Sequence, residues 1–346
     1  MNPKRSLLFA ALTLALAVQT SHASYNQPGQ GLQTVLSGTV SDGALYFGSQ
    51  ATWLNTANPA VGQPYNVNTS FTMPSADSIV NGRLILTLWG GTANYTANLA
   101  ISINGNSLVT GGLNFGSTSD ANVSFSATQP SVYGSGSGVW LVGLPVNADY
   151  LHTDGTANSI AITVTDTGTG TFDGRLQQVS VLSVYQNAVL NNQFQYAIAE
   201  GSGDIYKTPG TGQTDNRTIS FGGLTLANPT AATLAALYTY GDAGQNDRLY
   251  FNGTQLGGND IATWAPSGTG LSYGPDYVTN NVLSLLQANN SANFSVGADV
   301  PGTRETSLRP EIAALEITQA IPEPSTIGLV ALGLGALAFK RRCRQP

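Results

Sequence analysis

Cysteine is nearly absent from this chain of 346 residues. The single cysteine, Cys343, lies in a basic cluster near the C-terminus. The body of the chain therefore has no residues for disulfide bonds, for thiolate metal sites or for a cysteine nucleophile. Its stability must come from buried apolar surface and from the backbone hydrogen bonds of regular structure.

Charge is scarce as well. Charged residues make up 9% of the chain, compared with about 25% in ordinary soluble proteins. The two end segments contain six of the 13 basic residues, which leaves seven basic and 18 acidic residues between them. Because a negative surface repels phosphate groups, we expect no nucleic-acid partner. The body has one histidine, His152, which excludes a metal site made of several histidines.

Glycine, threonine, serine and asparagine take the place of the missing charges, with 40 glycines in all. This composition favours strands joined by tight turns. In Ser159–Thr165, apolar residues alternate with small or polar ones, with the period of two that is typical of a half-buried strand. We therefore predict an all-β fold. The one stretch that we predict to be helical is Pro275–Ala288, because its apolar residues have a helical spacing.

An internal duplication divides the body of the chain. Asn104-Gly105 and Asn252-Gly253 follow similar strands in the two halves, and Asn158-Ser159 and Asn290-Ser291 each open a later strand. Each half has a length that suits a two-sheet sandwich or a jelly roll. We predict two tandem β-sandwich or jelly-roll-like units behind a flexible lead. The predicted bounds are 24–37 for the lead, 38–188 for the first unit and 189–320 for the second.

The N-terminus has the three parts of a secretory signal peptide. Lys4 and Arg5 precede an apolar run over residues 7–18, and small residues occupy the last position and the third-last position of residues 1–23. We therefore predict that signal peptidase cleaves between Ala23 and Ser24. The apolar run is much shorter than the ~20 residues that a transmembrane helix needs.

Three elements follow one another in the C-terminal residues 321–346. An extended, proline-containing step precedes an apolar run over residues 327–339, and a cationic stop follows this run. The step consists of Pro322, Glu323 and Pro324, and the stop of Lys340, Arg341 and Arg342. Because basic residues stay on the cytoplasmic side, we predict a short transmembrane helix over residues 326–340. It would hold the chain transiently in the inner membrane, with the C-terminus in the cytoplasm and the body outside.

This tail resembles the PEP-CTERM sorting signal of exported bacterial proteins, in its Pro-Glu-Pro step, its Gly-, Ala- and Leu-rich run and its arginine-rich end. The resemblance implies recognition by an exosortase, a membrane enzyme that would act near the step. It also implies delivery to the cell surface or to an extracellular matrix such as that of a biofilm. The same kind of tail is known as an "ice-binding protein C-terminal domain", a label that describes a tail and not an activity.

The residues that could carry chemistry are few. Paired carboxylates suit glycoside hydrolysis, but the pairs in this chain lie in glycine-rich turns, where aspartate is common because it bonds to the backbone. Two of these loops are candidates for a Ca²⁺ site because they offer several oxygen ligands. Their aspartates are Asp166 and Asp173 in the first loop and Asp242 and Asp247 in the second. Glu200 and Asp204 form a further acidic pair. His152 could act in a Ser-His-Asp triad, but the sequence has no Gly-x-Ser-x-Gly nucleophile elbow to accompany it.

Trp264, in a loop-like region, is the candidate for stacking on a sugar ring. Taken together, the sequence predicts an exported structural or adhesive protein of the cell surface or extracellular matrix, without catalysis and without a required cofactor. The alternatives are a surface-held carbohydrate-binding module and a secreted glycan hydrolase. The expected partners are signal peptidase, an exosortase, the membrane and an extracellular polysaccharide.

Overall fold

The structure is a computed structural model. It describes residues 24–26, 32–51, 62–89, 97–115, 128–134, 139–168, 175–203, 205–206, 215–223, 225–239, 246–258, 261, 276–296 and 307–321. In chain order the strands are β1 (Ser24–Asn26), β2 (Gln33–Ser41), β3 (Gly43–Ala51), β4 (Pro64–Thr72), β5 (Ser78–Trp89), β6 (Ala97–Ile103), β7 (Asn106–Ser107), β8 (Leu113–Phe115), β9 (Ser131–Gly134), β10 (Val139–Val146), β11 (Ala157–Asp166), β12 (Arg175–Gln186), β13 (Asn192–Glu200), β14 (Ile205–Tyr206), β15 (Asn216–Gly223), β16 (Ala231–Thr239), β17 (Arg248–Phe251), β18 (Thr254–Leu256), β19 (Asp276–Asn281), β20 (Asn289–Ser295) and β21 (Ser307–Ala320). Three single-turn 3-10 helices span Ala148–Tyr150, Ala188–Leu190 and Leu283–Leu285.

The strands form four sheets, which confirms the all-β prediction. The first inner sheet has the order β1-β9-β10-β5-β12-β3, and the first outer sheet has the order β4-β11-β6-β7, with β8 also on β6. The second inner sheet has the order β19-β16-β21-β13-β2, with β14 on β21, and the second outer sheet has the order β15-β20-β17-β18. Neighbouring strands are antiparallel, except that β1 runs parallel to β9.

Three apolar cores separate the four sheets. One core lies between the first inner and first outer sheets, and a second lies between the second inner and second outer sheets. The third core joins the two inner sheets, so the molecule is a stack of two β-sandwiches. Because an inner sheet is covered on both faces, its central strands carry buried apolar residues on both faces. In β5, Leu84, Ile85 and Leu86 are all fully buried.

The lead predicted for residues 24–37 contains strands in the structure. β1 pairs with β9, and β2 pairs with β13, which belongs to the second inner sheet. Two adjacent apolar residues of β2, Val35 and Leu36, are buried in the core between the inner sheets, which explains why this segment is ordered as a strand. The next strand, β3, joins the first inner sheet. The two units therefore share the β2–β3 hairpin and do not separate at one point of the chain.

The helix predicted over Pro275–Ala288 is wrong. Residues 276–281 form β19, which pairs with β16, and a 3-10 turn follows it. The β-branched and aromatic residues Tyr277, Val278 and Thr279 are well suited to a strand, and pairing with β16 outweighs the helical spacing of the apolar residues. None of the helical turns in the described ranges has the length and apolar character needed to cross a bilayer. The predicted signal peptide and membrane helix, residues 1–23 and 326–340, lie outside those ranges.

The predicted duplication appears in the structure as one hydrogen-bond network that occurs twice. In the first unit, Asn104 has a left-handed backbone, with φ of 50°, at a turn that continues into Gly105. Its Nδ2 donates to the carbonyl oxygen of Tyr150 and to Oδ1 of Asn158, both at 2.8 Å. Its Oδ1 accepts a bond from the backbone N–H of Ser159 at 2.8 Å. The turn thereby holds the end of the 148–150 helical turn against β11.

The second unit repeats each of these contacts. Asn252, with φ of 49°, donates from Nδ2 to the carbonyl oxygen of Leu285 at 2.8 Å and to Oδ1 of Asn290 at 2.9 Å. Its Oδ1 accepts from the backbone N–H of Ser291 at 2.8 Å. The four asparagines that marked the repeat in the sequence are thus the residues that anchor a helical turn to a strand in each sandwich.

Candidate functional site

Two of the four predicted Ca²⁺ ligands, Asp166 and Asp247, are among the described residues, one in each unit. Asp166 ends β11 in the first outer sheet, and its Oδ1 accepts a bond from the backbone N–H of Gly168 at 2.7 Å. Asp247 precedes β17 in the second unit, and its Oδ1 accepts from the backbone N–H of Ile261 at 2.6 Å. Both carboxyl groups are buried and bind backbone N–H groups, that of Asp166 within its own loop and that of Asp247 in the segment after β18. Asp173 and Asp242 lie outside the described residues. Within the described ranges, no three His, Cys, Asp or Glu side chains are grouped to hold a metal ion.

His152 lies in the loop between the 148–150 turn and β11. Its Nδ1 is 3.1 Å from Oγ1 of Thr156 and 3.2 Å from the carbonyl oxygen of Ala157. In the same loop, Oδ1 of Asp154 accepts bonds from the hydroxyl and the backbone N–H of Thr156, and these bonds lower the pKa of the Asp154 carboxyl. These contacts shape the loop. Trp264 and Asp204, the remaining sequence candidates of the body, are not among the described residues.

A buried ion pair, which the sequence analysis missed, connects the two inner sheets. Arg83 of β5 and Glu200 of β13 are both fully buried. Nε of Arg83 donates to Oε2 of Glu200 at 2.9 Å, and its Nη2 makes a second bond to Oε1. Nη2 also donates to the Ser131 hydroxyl at 3.0 Å, and the Tyr133 hydroxyl donates to Oε1 of Glu200 at 2.8 Å. Burial and then the charge of Glu200 raise the pKa of Tyr133 well above its usual range.

A second buried carboxylate, Glu311, lies in the same seam. Its Oε2 accepts from the hydroxyl of Thr87 at 2.7 Å and from Nε2 of Gln178 at 3.0 Å, and its Oε1 accepts from the hydroxyl of Thr239 at 3.0 Å. The pairing register of β21 with β16 shifts at this point, and so does that of β12 with β5 next to Gln178. Such bulges re-aim side chains, and here they direct Glu311 toward donors on the facing sheet.

These residues form a polar seam, made of Arg83, Glu200, Tyr133, Ser131, Glu311, Thr87, Gln178 and Thr239. The burial of the seam gives it a structural role. Arg83, Glu200 and Glu311 have no exposed surface, and the two carboxylates accept hydrogen bonds from donors that are fixed in place. Removing one partner of such a pair leaves an uncompensated buried charge, which costs about 3–5 kcal/mol. The seam therefore fixes the position of one sandwich against the other. No sequence spacing could reveal it, because Arg83 and Glu200 are 117 positions apart.

A half-open groove lies at one end of the first unit, beside the 148–150 turn. Its volume is about 310 Å³. The side chains and backbone that line it come from the start of β5, the end of β10 and the turn that follows, and they include Val80, Asn81, Thr128, Pro145, Asn147 and Tyr150.

The described chain ends beside the junction of the two units. The backbone N–H of Ile321 donates to the carbonyl oxygen of Asn191 at 3.2 Å, and Nδ2 of Asn191 donates to the carbonyl oxygen of Ile321 at 3.4 Å. Asn191 directly follows the 188–190 turn. The Pro322–Pro324 step and the Lys340–Arg342 stop lie outside the described residues, so the structure fixes only the point from which the tail continues.

The fold and the tail together define an exported all-β protein that carries a surface-sorting signal. A model described as "PEP-CTERM protein-sorting motif" matches residues 320–345, which confirms the resemblance of the tail and implies export and sorting to the cell surface. The chain belongs to the family described as "Protein of unknown function (DUF3344)", whose model matches residues 25–318. No curated protein matches the chain.

Several solved structures match this chain at low scores. A peptide-N(4)-(N-acetyl-β-D-glucosaminyl) asparagine amidase is 10% identical, with 81% of this chain and 97% of that chain covered and a TM-score of 0.31. PNGase F, a glycosylasparaginase from Flavobacterium meningosepticum, is 11% identical, with coverage of 82% and 96% and a TM-score of 0.29. The ANXUR2 extracellular domain from Arabidopsis thaliana is 10% identical, with coverage of 87% and 99% and a TM-score of 0.24. These scores carry no conclusion about function.

Proposed function

We propose that this exported protein is a non-catalytic structural or adhesive component of the cell surface or extracellular matrix. The observation that supports this proposal best is the polar seam. Its two carboxylates, Glu200 and Glu311, are fully buried, and they are bound to donors that hold the two sandwiches in one arrangement. A double sandwich without cysteines that is fixed in this way suits a durable building block outside the cell.

The outer sheets support an adhesive role because their exposed faces carry amides and hydroxyls instead of charges. In the first outer sheet, the Thr163 hydroxyl donates to Oδ1 of Asn66 across neighbouring strands at 2.6 Å. In the second outer sheet, Nδ2 of Asn293 donates to the Thr218 hydroxyl at 2.8 Å. Such neutral, hydrogen-bonding faces suit contact with hydrated polysaccharide, which offers the same kinds of donors and acceptors.

The finer details of sorting are part of the same proposal. An exosortase acts near Glu323 while the apolar run holds the chain in the inner membrane with its basic end in the cytoplasm. Ile321, the last described residue, directly precedes the step, so the enzyme has to approach the end of the body where Asn191 lies. Signal peptidase removes residues 1–23 earlier in export.

Cell fractionation with intact-mass measurement tests this function. We expect the mature protein in the surface or matrix fraction, with Ser24 at its N-terminus and without Lys340–Pro346. Glu323→Ala should accumulate as a larger, membrane-retained species, whereas the matched variant Gln319→Ala, close to the step, should be processed normally. An unchanged mass for Glu323→Ala would contradict processing at the step, and full-length protein in the cytosol would contradict the function itself.

The alternatives make different predictions. A secreted glycan hydrolase would degrade polysaccharide and lose that activity in Asp166→Asn or Asp173→Asn. A surface-held carbohydrate-binding module would bind glycans without degrading them, and would lose binding in Trp264→Ala if the predicted tryptophan carries the contact. The groove of the first unit favours the binding module over the hydrolase, because the described residues that line it include no carboxylate.

A further inference from the structure

The groove beside the 148–150 turn has the composition of a site for a neutral ligand. No charged side chain lines it within the described part of the chain. Its walls combine aliphatic surface, such as Val80 and Pro145, with two amides, Asn81 and Asn147, and one phenol, Tyr150. Its volume of about 310 Å³ lies at the lower end of the ~300–1,000 Å³ found for small-molecule sites.

The polar groups of the groove are held in place from outside it. Nδ2 of Asn81 donates to the hydroxyl of Tyr196 at 2.8 Å, across the junction with the second inner sheet. Oδ1 of Asn147 accepts from the backbone N–H of Asp149 at 3.1 Å and thereby caps the helical turn. The backbone of Tyr150 is bound by Asn104. The groove is thus built on anchored elements, as a binding site requires.

These bonds use only the nitrogen of the Asn81 amide and only the oxygen of the Asn147 amide. Among the contacts of the described chain, Oδ1 of Asn81, Nδ2 of Asn147 and the hydroxyl of Tyr150 have no protein partner. They offer one acceptor, one donor and one group that does both. A half-buried aromatic ring beside such groups suits a sugar, because the ring stacks on the apolar face of the sugar while amides bind its hydroxyls.

We propose that this groove binds a segment of a neutral carbohydrate chain. The inference rests on the binding-module alternative above and assigns it a site. An uncharged ligand fits better than an anionic one, because none of the described lining residues is cationic and the whole chain carries a net charge of −6. The open side of the groove lets a longer chain enter and leave, so one or two sugar units occupy it while the rest continues along the surface.

Calorimetric titration of the full mature chain tests this proposal, in a detergent that has no sugar headgroup. The probes are neutral hexasaccharides of glucose, mannose and galactose, with a uronate hexasaccharide as the charged comparator. We expect at least one neutral probe to bind more tightly than the uronate. Tyr150→Leu should weaken that binding about tenfold, which corresponds to the loss of about 1.4 kcal/mol. Tyr150→Phe, which keeps the ring, should retain most of it.

Tyr250→Leu is the matched control, because it removes a half-buried tyrosine ring from the second outer sheet. We expect its affinity to equal that of the wild type, and thermal melts of all variants confirm that they are folded. Absence of binding by every neutral probe, or stronger binding of the uronate, would overturn the proposal. Undiminished binding by Tyr150→Leu would also overturn it. If Trp264→Ala then abolished binding, the protein would still be a carbohydrate-binding module, but with its site at Trp264 and not in the groove. The location of the protein at the cell surface is tested separately, by the fractionation described above.

Discussion

Glu316 provides a direct test of how the two sandwiches are packed. It lies in β21, opposite Tyr196 of β13 and Thr233 of β16, on the face of the second inner sheet that covers the first inner sheet. Burial raises the pKa of its carboxyl from 4.5 to about 7. Glu316 also affects the pKa values of two tyrosines. Burial, and to a smaller extent the charge of Glu316, raises the pKa of Tyr185 and raises that of Tyr277 to about 12.

The effect of Glu316 on stability depends on pH, because folding and proton binding by its carboxyl are coupled. The folded state holds the proton of Glu316 more tightly than the unfolded state does, so this carboxyl favours folding only while it is protonated. Its contribution is complete below about pH 4.5 and is lost as the pH rises to about 7. At 1.36 kcal/mol for each pKa unit, the free energy of unfolding should fall by about 3 kcal/mol across this window.

Glu316→Gln should remove this loss, because the amide is neutral at every pH and close in size to the protonated acid. At pH 8 the variant should be more stable than the wild type by about 3 kcal/mol, and at pH 4 the two should be equal. Equilibrium denaturation in urea from pH 4 to pH 8, followed by tryptophan fluorescence, measures the difference. The control Asp149→Asn, an exposed acid on the 148–150 turn, should follow the wild type. Parallel curves for Glu316→Gln and the wild type would refute the reasoning.

Three further predictions concern the seam, the repeated network and the shared hairpin. Arg83→Met should reduce the free energy of unfolding by about 3–5 kcal/mol, because Glu200 stays buried without its cation; adding Glu200→Leu should recover part of the loss, and an additive double mutant would contradict the ion pair. Asn104→Ala should cost about 3 kcal/mol, since it loses its hydrogen bonds and strains a left-handed backbone, while Ser102→Ala on the same hairpin should have little effect in the same denaturation assay. Deleting residues 33–41 should expose the core between the inner sheets, measured as increased binding of a hydrophobic dye, and unchanged dye binding would contradict the role of β2.

The features that the sequence predicted correctly are those that repeat locally. Alternation with a period of two identified β11, and the pairs Asn104-Gly105 and Asn252-Gly253 identified turns where a positive φ is needed, whereas a third pair, Asn81-Gly82, lies inside β5. The recurrence of Asn158-Ser159 and Asn290-Ser291 marked the partners of these turns, although their roles became visible only with the hydrogen bonds. Such signals are readable because each depends on residues that are close together in the chain or on a pattern that occurs twice.

The features that the sequence did not reveal depend on distant partners. Glu200 was paired in the sequence with Asp204, whereas its partner in the structure is Arg83 on the other sandwich. The strand at residues 33–41 precedes the first unit in the chain but pairs with β13 in a sheet of the second unit. A local sequence pattern does not indicate which sheet edge a strand will join. The helical spacing in 275–288 failed for a related reason, because pairing with β16 decided the outcome.

The place where the tail joins the body has a mechanical consequence. The tail continues from β21, a strand of 14 residues that has β13 on one side and β16 on the other. A pull on a tether attached there runs along the strand and strains two rows of backbone hydrogen bonds at once, whereas a pull on an edge strand opens one row bond by bond. A body anchored through its central strand withstands drag from flowing liquid better than one anchored through an edge.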